Sequence, residues 1–306
     1  MLNSASSSPT SPAALPNRQT YLINVTVEQQ TYAVSGLPSS AVLCPGLTCA
    51  GGASATTTRI LLDDESKPNA LVSLIVPCLN EQDNIIPTLL AIVAAGRRAC
   101  VPYEIIVVDD GSVDATGDRV AAFIASNPSV PIKFIRYQRN MGLSRAFVDG
   151  VFAATGEYCR IICGDNVETI DTIYEISFSM IGTADMILPY HIDNNVRSQL
   201  RRKLSAIFTE AVNFLSGYNI KYYNGCGLFR RISVMRWHPY TYGFGFQAEL
   251  ITRMLDAGAT CVEVPVLPSE RTSGASSALR LRNILSTLHV LAEIGTRRLR
   301  FKLFRN

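Results

Sequence analysis

The chain has 306 residues, 47% hydrophobic and 17% charged, a balance that excludes a wholly disordered protein or a nucleic-acid coat. Its net charge of +3 is unevenly placed: from Arg280 to Asn306 seven basic residues face Glu293 alone, so this end carries +6 and the remainder −3. No run approaches the roughly 18 consecutive apolar residues that a membrane-spanning helix needs.

Residues 1–19, rich in Ser, Pro and Ala, are expected to be disordered. Residues 20–70 read as a small β appendage and linker. In it Tyr21, Ile23, Val25 and Val27 alternate with polar neighbours, and Gln29-Gln30 turns the chain back through Thr31–Val34 as a hairpin. The amino terminus has no basic stretch leading into an apolar core, so no secretory signal is expected. Without one, the eight cysteines are expected to be reduced thiols.

From Leu71 the texture becomes regular. Short apolar runs occupy 72–76, 104–108, 132–137, 158–163, 185–188 and 260–266, with helical spacing over 83–96, 116–126 and 143–154. This alternation predicts right-handed βαβ units and a mainly parallel sheet flanked by helices. Such sheets bind ligands beyond the carboxyl ends of their strands. There the sequence places Pro77-Cys78-Leu79-Asn80-Glu81, Asp109-Asp110-Gly111-Ser112, Arg139-Asn140-Met141-Gly142 and Gly164-Asp165-Asn166. Asp114 and Ser112 suit helix caps. The adjacent Asp109 and Asp110 repel each other unless a cation or hydrogen-bond donors meet them.

Taken in order, Pro77-x-x-Asn80-Glu81, Val107-Val108-Asp109-Asp110-Gly111-Ser112-x-Asp114-x-Thr116, Asn140-x-Gly142-Leu143 and Gly156-Glu157-Tyr158 resemble a family 2 glycosyltransferase of the dolichol-phosphate mannosyltransferase-like branch. Gly225-x-Gly227-Leu228-Phe229-Arg230-Arg231, Phe246-Gln247-Ala248-Glu249-Leu250, Glu263-Val264-Pro265-Val266 and Arg271-x-x-Gly274-x-Ser276 continue the resemblance through residues 71–277. It implies a GT-A, Rossmann-like α/β fold and inverting transfer of a sugar from a nucleotide-diphosphate donor to a polyprenyl-phosphate or lipid-linked acceptor. By the same resemblance Pro77, Asn80, Glu81, Asp109 and Asp110 recognise the nucleotide. Arg197, Arg201 and Arg271 approach phosphates, and Glu249 stands near the acceptor as a candidate general base.

The family's Asp-x-Asp motif reads Cys163-Gly164-Asp165 here. Cys163 is expected to be the last buried residue of its strand, and a thiol is a poor ligand for a hard cation. Asp165, helped by Glu168 and the donor phosphates, is therefore expected to hold Mg2+ or Mn2+ in a weakened site. The other reading gives the phosphate work to arginines.

An amphipathic helix is expected over 195–216, with Leu200, Leu204, Ile207 and Leu215 on one face. Another begins at 278, with Leu281, Ile284, Leu285, Leu288, Leu291 and Ala292 on one stripe and Arg282, Ser286, His289, Glu293 and Arg297 opposite. Such a helix ordinarily packs on its own domain, while the basic, apolar-interleaved 297–306 segment suits an anionic membrane surface. The expected location is cytoplasmic and peripheral on the inner face of a membrane. The other functional readings are a soluble polysaccharide or protein glycosyltransferase, and a nucleotide-sugar-binding pseudo-enzyme.

Overall fold

The structure is a computed structural model. It describes four short strands before residue 63, then residues 72–192, 199–239, 241, 243, 245–267 and 281–304. Residues 1–65 and 66–306 form two separate compact units. In the first, β1 (Ile23–Val27) pairs antiparallel with β2 (Gln30–Val34), and β3 (Ala41–Cys44) with β4 (Arg59–Leu62). The second pair falls where the sequence showed little periodicity, because four-residue strands are too short to display alternation.

The second unit is built on a seven-stranded sheet. Its strands are β5 (Val72–Cys78), β6 (Tyr103–Asp109), β7 (Ile132–Arg136), β8 (Tyr158–Ile161), β9 (Met186–His191), β10 (Leu228–Arg230) and β11 (Cys261–Val266). Their spatial order is β11-β9-β10-β8-β5-β6-β7. Every pairing is parallel except those of β10, which lies antiparallel between β8 and β9. β5 is buried at all seven positions, as expected for a central strand covered on both faces. At the opposite extreme, β7 is an edge strand that carries Lys133 and Arg136, charges that discourage pairing with another chain.

Helices α1 (Ile85–Ala99), α2 (Thr116–Ser126) and α3 (Leu143–Ala153) cross between the first parallel strands. After β8, a short α4 (Ile170–Tyr174) runs into a π-helical turn, Glu175–Ser179. Two cores result. One lies around Leu74, Val76, Ile85, Leu89, Ile92, Ile105 and Val107. The other lies around Ile75, Ile106, Val108, Phe147, Phe229, Phe246 and Ile251. The second is closed by α5 (Gln199–Ser216), α6 (Arg231–Trp237), α7 (Phe246–Asp256) and the 24-residue α8 (Leu281–Phe304).

α8 packs on α5 and α7, but with the opposite side from the one its leucines suggest. Val290 and Ile294 are buried, Glu293 accepts from Arg253 at 3.0 Å, and Arg297 bonds Asp256 at 2.9 Å. Leu285, Leu288, Leu299 and Leu303 are all more than half exposed. These four leucines face out while Leu291 packs against the second core, and ion pairs with α7 hold Glu293 and Arg297 inward. α5 behaves similarly: Leu200, Leu204, Ile207 and, two turns on, Phe214 are exposed, Phe214 to 87%.

Candidate active site

The carboxyl ends of β5, β6, β7 and β8 converge because their loops are laced together. Asn80, in the left-handed region at φ 54°, receives Val113 N on Oδ1 at 3.0 Å, and its own N–H donates to Ser112 Oγ at 2.9 Å. Asparagine tolerates that backbone conformation and supplies the side-chain acceptor as well. Glu81 N donates to Thr116 Oγ1 at 2.8 Å, and the Glu81 carboxylate accepts from Asn84 Nδ2 at 2.8 Å. Asp114, just ahead of the N-cap Ala115 of α2, accepts Thr116 N at 3.0 Å. Though burial works the other way, the Thr116 and Gln82 donors hold its carboxyl below the usual range. Pro77 delivers its carbonyl to Gly164 N at 3.0 Å, tying the end of β5 to the loop after β8.

The two adjacent carboxylates find their counter-groups inside the protein. Asp109 is fully buried; Oδ1 accepts Ser112 N at 2.9 Å and Oδ2 lies 3.3 Å from Arg136 Nε. Arg136 stands directly opposite Asp109 in the β6–β7 ladder. Gly117 leaves the room for this pair, since a Cβ there would lie 2.6 Å from the guanidinium carbon. Asp110 accepts Met141 N at 2.6 Å and Gly142 N at 2.9 Å, holding the loop that opens α3. Burial pushes its carboxyl up, against the pull of those two amides. Gly111, at φ +77°, lets the β6 loop run against this segment, because a Cβ would fall 2.5 Å from the carbonyl carbon of Arg139.

After β8 the chain passes through Cys163-Gly164-Asp165-Asn166. The strand ends at Ile161, so Cys163 lies beyond it and is half-buried, not the last buried residue of the strand. Gly164 is required by close approach: a Cβ would meet Cys78 Cβ at 2.8 Å. Asn166, also left-handed at φ 54°, donates its N–H to Thr88 Oγ1 at 3.0 Å. Asp165 projects from this turn near Glu168, whose carboxyl is pushed up by burial against the pull of Arg160.

Arg160, fully buried, is the feature that pattern reading missed. It donates to Cys226 O at 2.8 Å and Ser177 Oγ at 2.9 Å, and forms an ion pair with Glu168 Oε2. One guanidinium thus joins β8, the π-helical turn, the loop before β10 and the loop after β8. A charged residue within an otherwise apolar strand was the available signal, since such a charge is buried only with partners.

Glu168 Oε1 is buried with no hydrogen-bond partner among the described residues. Together with Asp165 it gives one or two hard oxygen donors, which fits a Mg2+ or Mn2+ ion completed by water and phosphate oxygens. No group of three or more metal-binding side chains occurs among the described residues.

Glu249 is held within the fold by side chains of its own unit. It is fully buried; Oε2 accepts from Thr241 N at 3.2 Å and Thr241 Oγ1 at 2.7 Å, and Oε1 lies 2.8 Å from Arg253 Nη2. That geometry braces α7, α8 and the Thr241 segment. Arg197 and Arg271 lie outside the described residues, as does the side chain of Arg201 within α5.

The family model Glycosyl transferase family 2 matches residues 73–237, more than half of the chain and all four laced strand ends. The chain belongs to that family. Among curated relatives, a dolichyl-phosphate β-glucosyltransferase of Dictyostelium discoideum is 30% identical over 189 residues, covering 56% of this chain and 57% of the relative. An undecaprenyl-phosphate 4-deoxy-4-formamido-L-arabinose transferase of Serratia proteamaculans is 26% identical over 235 residues, 72% of this chain and 68% of the relative. The chain spans about half the length of several of these curated relatives, for example 52% of a bactoprenol glucosyl transferase homologue of Escherichia coli. Among solved structures, the glucosyl-3-phosphoglycerate synthase of Mycobacterium tuberculosis, in complex with Mn2+, UDP-glucose and phosphoglyceric acid, superposes with a TM-score of 0.54. It has 18% identity over 75% of this chain and 80% of its own. A mannosyltransferase of Pyrobaculum calidifontis in complex with GDP-Man and Mn2+ gives 0.53, with 16% identity over 79% of this chain and 72% of its own. The architecture of this family 2 chain is accordingly the GT-A fold.

Proposed function

We propose that this family 2 chain transfers a sugar from a nucleotide diphosphate to a polyprenyl phosphate presented at a membrane surface, with inversion at the anomeric carbon. The observation that carries the lipid acceptor is the pair of neighbouring helices α5 and α8. Each turns an apolar stripe outward, with Lys203 and Arg300 exposed beside them. Exposed apolar surface flanked by cations suits an anionic bilayer surface better than a soluble acceptor. The names of the relatives, a dolichyl-phosphate and an undecaprenyl-phosphate sugar transferase, point to the same acceptor class. No helix among the described residues is long and apolar enough to cross a membrane, so contact through these helices would be peripheral.

In this reading Pro77, Asn80, Glu81, Asp109 and Asp110 shape the nucleoside cleft. The two aspartates act chiefly by holding the Ser112 and Met141–Gly142 loops in place. Asp165, with Glu168, would hold Mg2+ or Mn2+ against the diphosphate, and Arg197, Arg201 and Arg271 would add positive charge there. A bound cation supplies stabilisation of the charge that develops on the leaving nucleotide diphosphate. Two carboxylates, one of them shared with Arg160, make this a weaker site than a full Asp-x-Asp pair.

The acceptor phosphate is already an anion, so its oxygen attacks the anomeric carbon opposite the departing diphosphate without a strong base. Glu249 is then free to serve as a brace. The buried acceptors Asn224 Oδ1 and Gln247 Oε1, unmet among the described residues, suit sugar hydroxyls.

The test is transfer from a panel of UDP-, GDP- and dTDP-sugars to a short polyprenyl phosphate, with and without Mn2+. Transfer lost on chelation and in Asp165→Asn is the expected result. Turnover unaffected by exhaustive chelation would refute the cation site. Stabilisation by a nucleotide with no turnover would point to a binding protein.

A further inference from the structure

Arg160 occupies a position that packing alone would give to an apolar residue. In the sheet it stands between Leu74 of β5 and Leu228 of β10, its partners across the two ladders, and all three are without solvent exposure. An apolar side chain of similar volume often serves stability as well as a buried ion pair, or better, so the guanidinium is explained by what it holds. Its fork is divided among three elements: Nε donates to Cys226 O at 2.8 Å, Nη1 to Ser177 Oγ at 2.9 Å, and Nη2 to Glu168 Oε2. An arginine that served only to neutralise Glu168 could grip both carboxylate oxygens side by side. Here one is gripped. Oε1 is left buried with no hydrogen-bond partner among the described residues, a state that a bound ion relieves.

The rest of the loop after β8 is equally fixed. Ile162 N donates to Ile75 O at 2.9 Å, Gly164 N to Pro77 O at 3.0 Å and Asn166 N to Thr88 Oγ1 at 3.0 Å. Positions 162, 164, 166 and 168 are thus each tied to the body of the fold. Asp165 lies between two of these anchors, and the chain turns at Gly164–Asp165 and bends at Asn166 and Glu168. Three residues fully extended span roughly 10 Å; the turn and bends bring Asp165 and Glu168 closer than that.

We propose that Arg160 is a positioning residue for the candidate cation site: by holding Glu168 through Oε2 alone, it presents Oε1 as the second hard oxygen beside Asp165, the part that position 163 gives up by being cysteine. This role rests on the donor-site reading above, and adds to it the group that sets the strength of cation binding. Arg160 touches neither cation nor substrate. It acts through the orientation of Glu168, as the outer groups that orient metal ligands do, and losing such a group costs about 10- to 100-fold in metal affinity.

The test is Mn2+ binding to the full chain in the presence of UDP or GDP, with free Mn2+ read by electron paramagnetic resonance. Wild type is compared with Glu168→Gln, Arg160→Lys and the double variant. Glu168→Gln, close in shape and still able to accept from Arg160, should weaken Mn2+ binding about tenfold or more. Arg160→Lys keeps the charge but loses the planar fork that serves three partners, and should weaken binding by a similar factor. Added to Glu168→Gln, Arg160→Lys should cost less than about twofold more, because its effect passes through the missing carboxylate. An arginine of structural value only would change Mn2+ affinity equally in both backgrounds, or lower Tm and leave that affinity alone; either result would overturn the proposal. So would Glu168→Gln binding Mn2+ as tightly as wild type. Mn2+ binding lost in Asp165→Asn but kept in Glu168→Gln leaves the cation site standing and removes Arg160 from it. If wild type binds no Mn2+ with either nucleotide, the donor-site reading fails and the positioning role fails with it.

Discussion

Glu104 provides the sharpest test of how the sheet is held at the edge opposite the candidate active site. At the start of β6, this 6% exposed side chain receives Ser73 Oγ at 2.7 Å, Thr155 N at 2.5 Å and Thr155 Oγ1 at 2.8 Å. Lys133 Nζ lies 2.9 Å from its other oxygen. Burial alone would raise its pKa, but these donors bring it from 4.5 down to about 2. At about 1.36 kcal/mol per unit the shift corresponds to roughly 3.4 kcal/mol. Lys133 is half exposed, so solvent screening reduces this to about 2 kcal/mol.

The folded pKa is depressed, so this stability is present above about pH 4.5 and drains away as pH falls towards 2. Glu104→Gln should therefore cost about 2 kcal/mol at pH 7 and under half of that at pH 3. Urea unfolding followed by the fluorescence of Trp237, the single tryptophan, reports on this unit. A cost below about 0.5 kcal/mol at pH 7, or one equal at pH 7 and pH 3, would falsify the reasoning. Nucleotide-induced stabilisation of the folded variant should be unchanged, because Glu104 lies at the other end of its strand.

Three further outcomes are expected. Gly111→Ala places a Cβ 2.5 Å from backbone at a positive φ; it should cost about 2 kcal/mol or more and weaken nucleotide binding beyond the loss of stability, read by calorimetric titration below the variant's Tm. Glu249→Gln should lower stability by about 2–3 kcal/mol, since the amide cannot satisfy both Thr241 and Arg253, yet leave kcat per folded molecule within a few-fold. An unchanged Tm with kcat collapsed would instead make Glu249 the general base. Leu288→Asp combined with Leu299→Asp should alter stability by no more than about 0.5 kcal/mol, both residues being exposed, and should abolish sedimentation with vesicles of anionic phospholipid. Retained sedimentation would remove the lipid-facing role from α8.

The strands that the site depends on were legible because β5 and β6 are continuous apolar runs ending in polar clusters, and the loops those clusters form are the ones laced through Asn80, Ser112 and Asp110. β10 was not legible. Three residues carry no period, and its direction comes from pairing with β8 and β9, strands far from it in sequence. The counter-charge of Asp109 was equally hidden: Arg136 is 27 positions away and becomes a partner only through parallel register. The orientation of α8 failed to read for a related reason. Its leucine stripe is the more apolar, but contacts to Arg253 and Asp256, 40 and 41 residues distant, choose the other side. Glu249 matched its motif, while the buried cage of Thr241 and Arg253 around it could not be read from the sequence.

The inward side of α8 also changes what the charge of this end of the chain is available to do. Arg297 and Arg298 both engage Asp256, at 2.9 and 3.1 Å, and the Arg298 guanidinium stacks 5.2 Å over the ring of Tyr218. Those two cations share one carboxylate within the fold, so an anionic surface meets less positive charge than the sequence count of +6 suggests. Attachment through α5 and α8 would then be governed by insertion of leucine and phenylalanine side chains. Raising ionic strength from 0.05 to 0.5 M should strip little of the protein from vesicles, whereas a purely electrostatic attachment is screened within a Debye length that shrinks with salt.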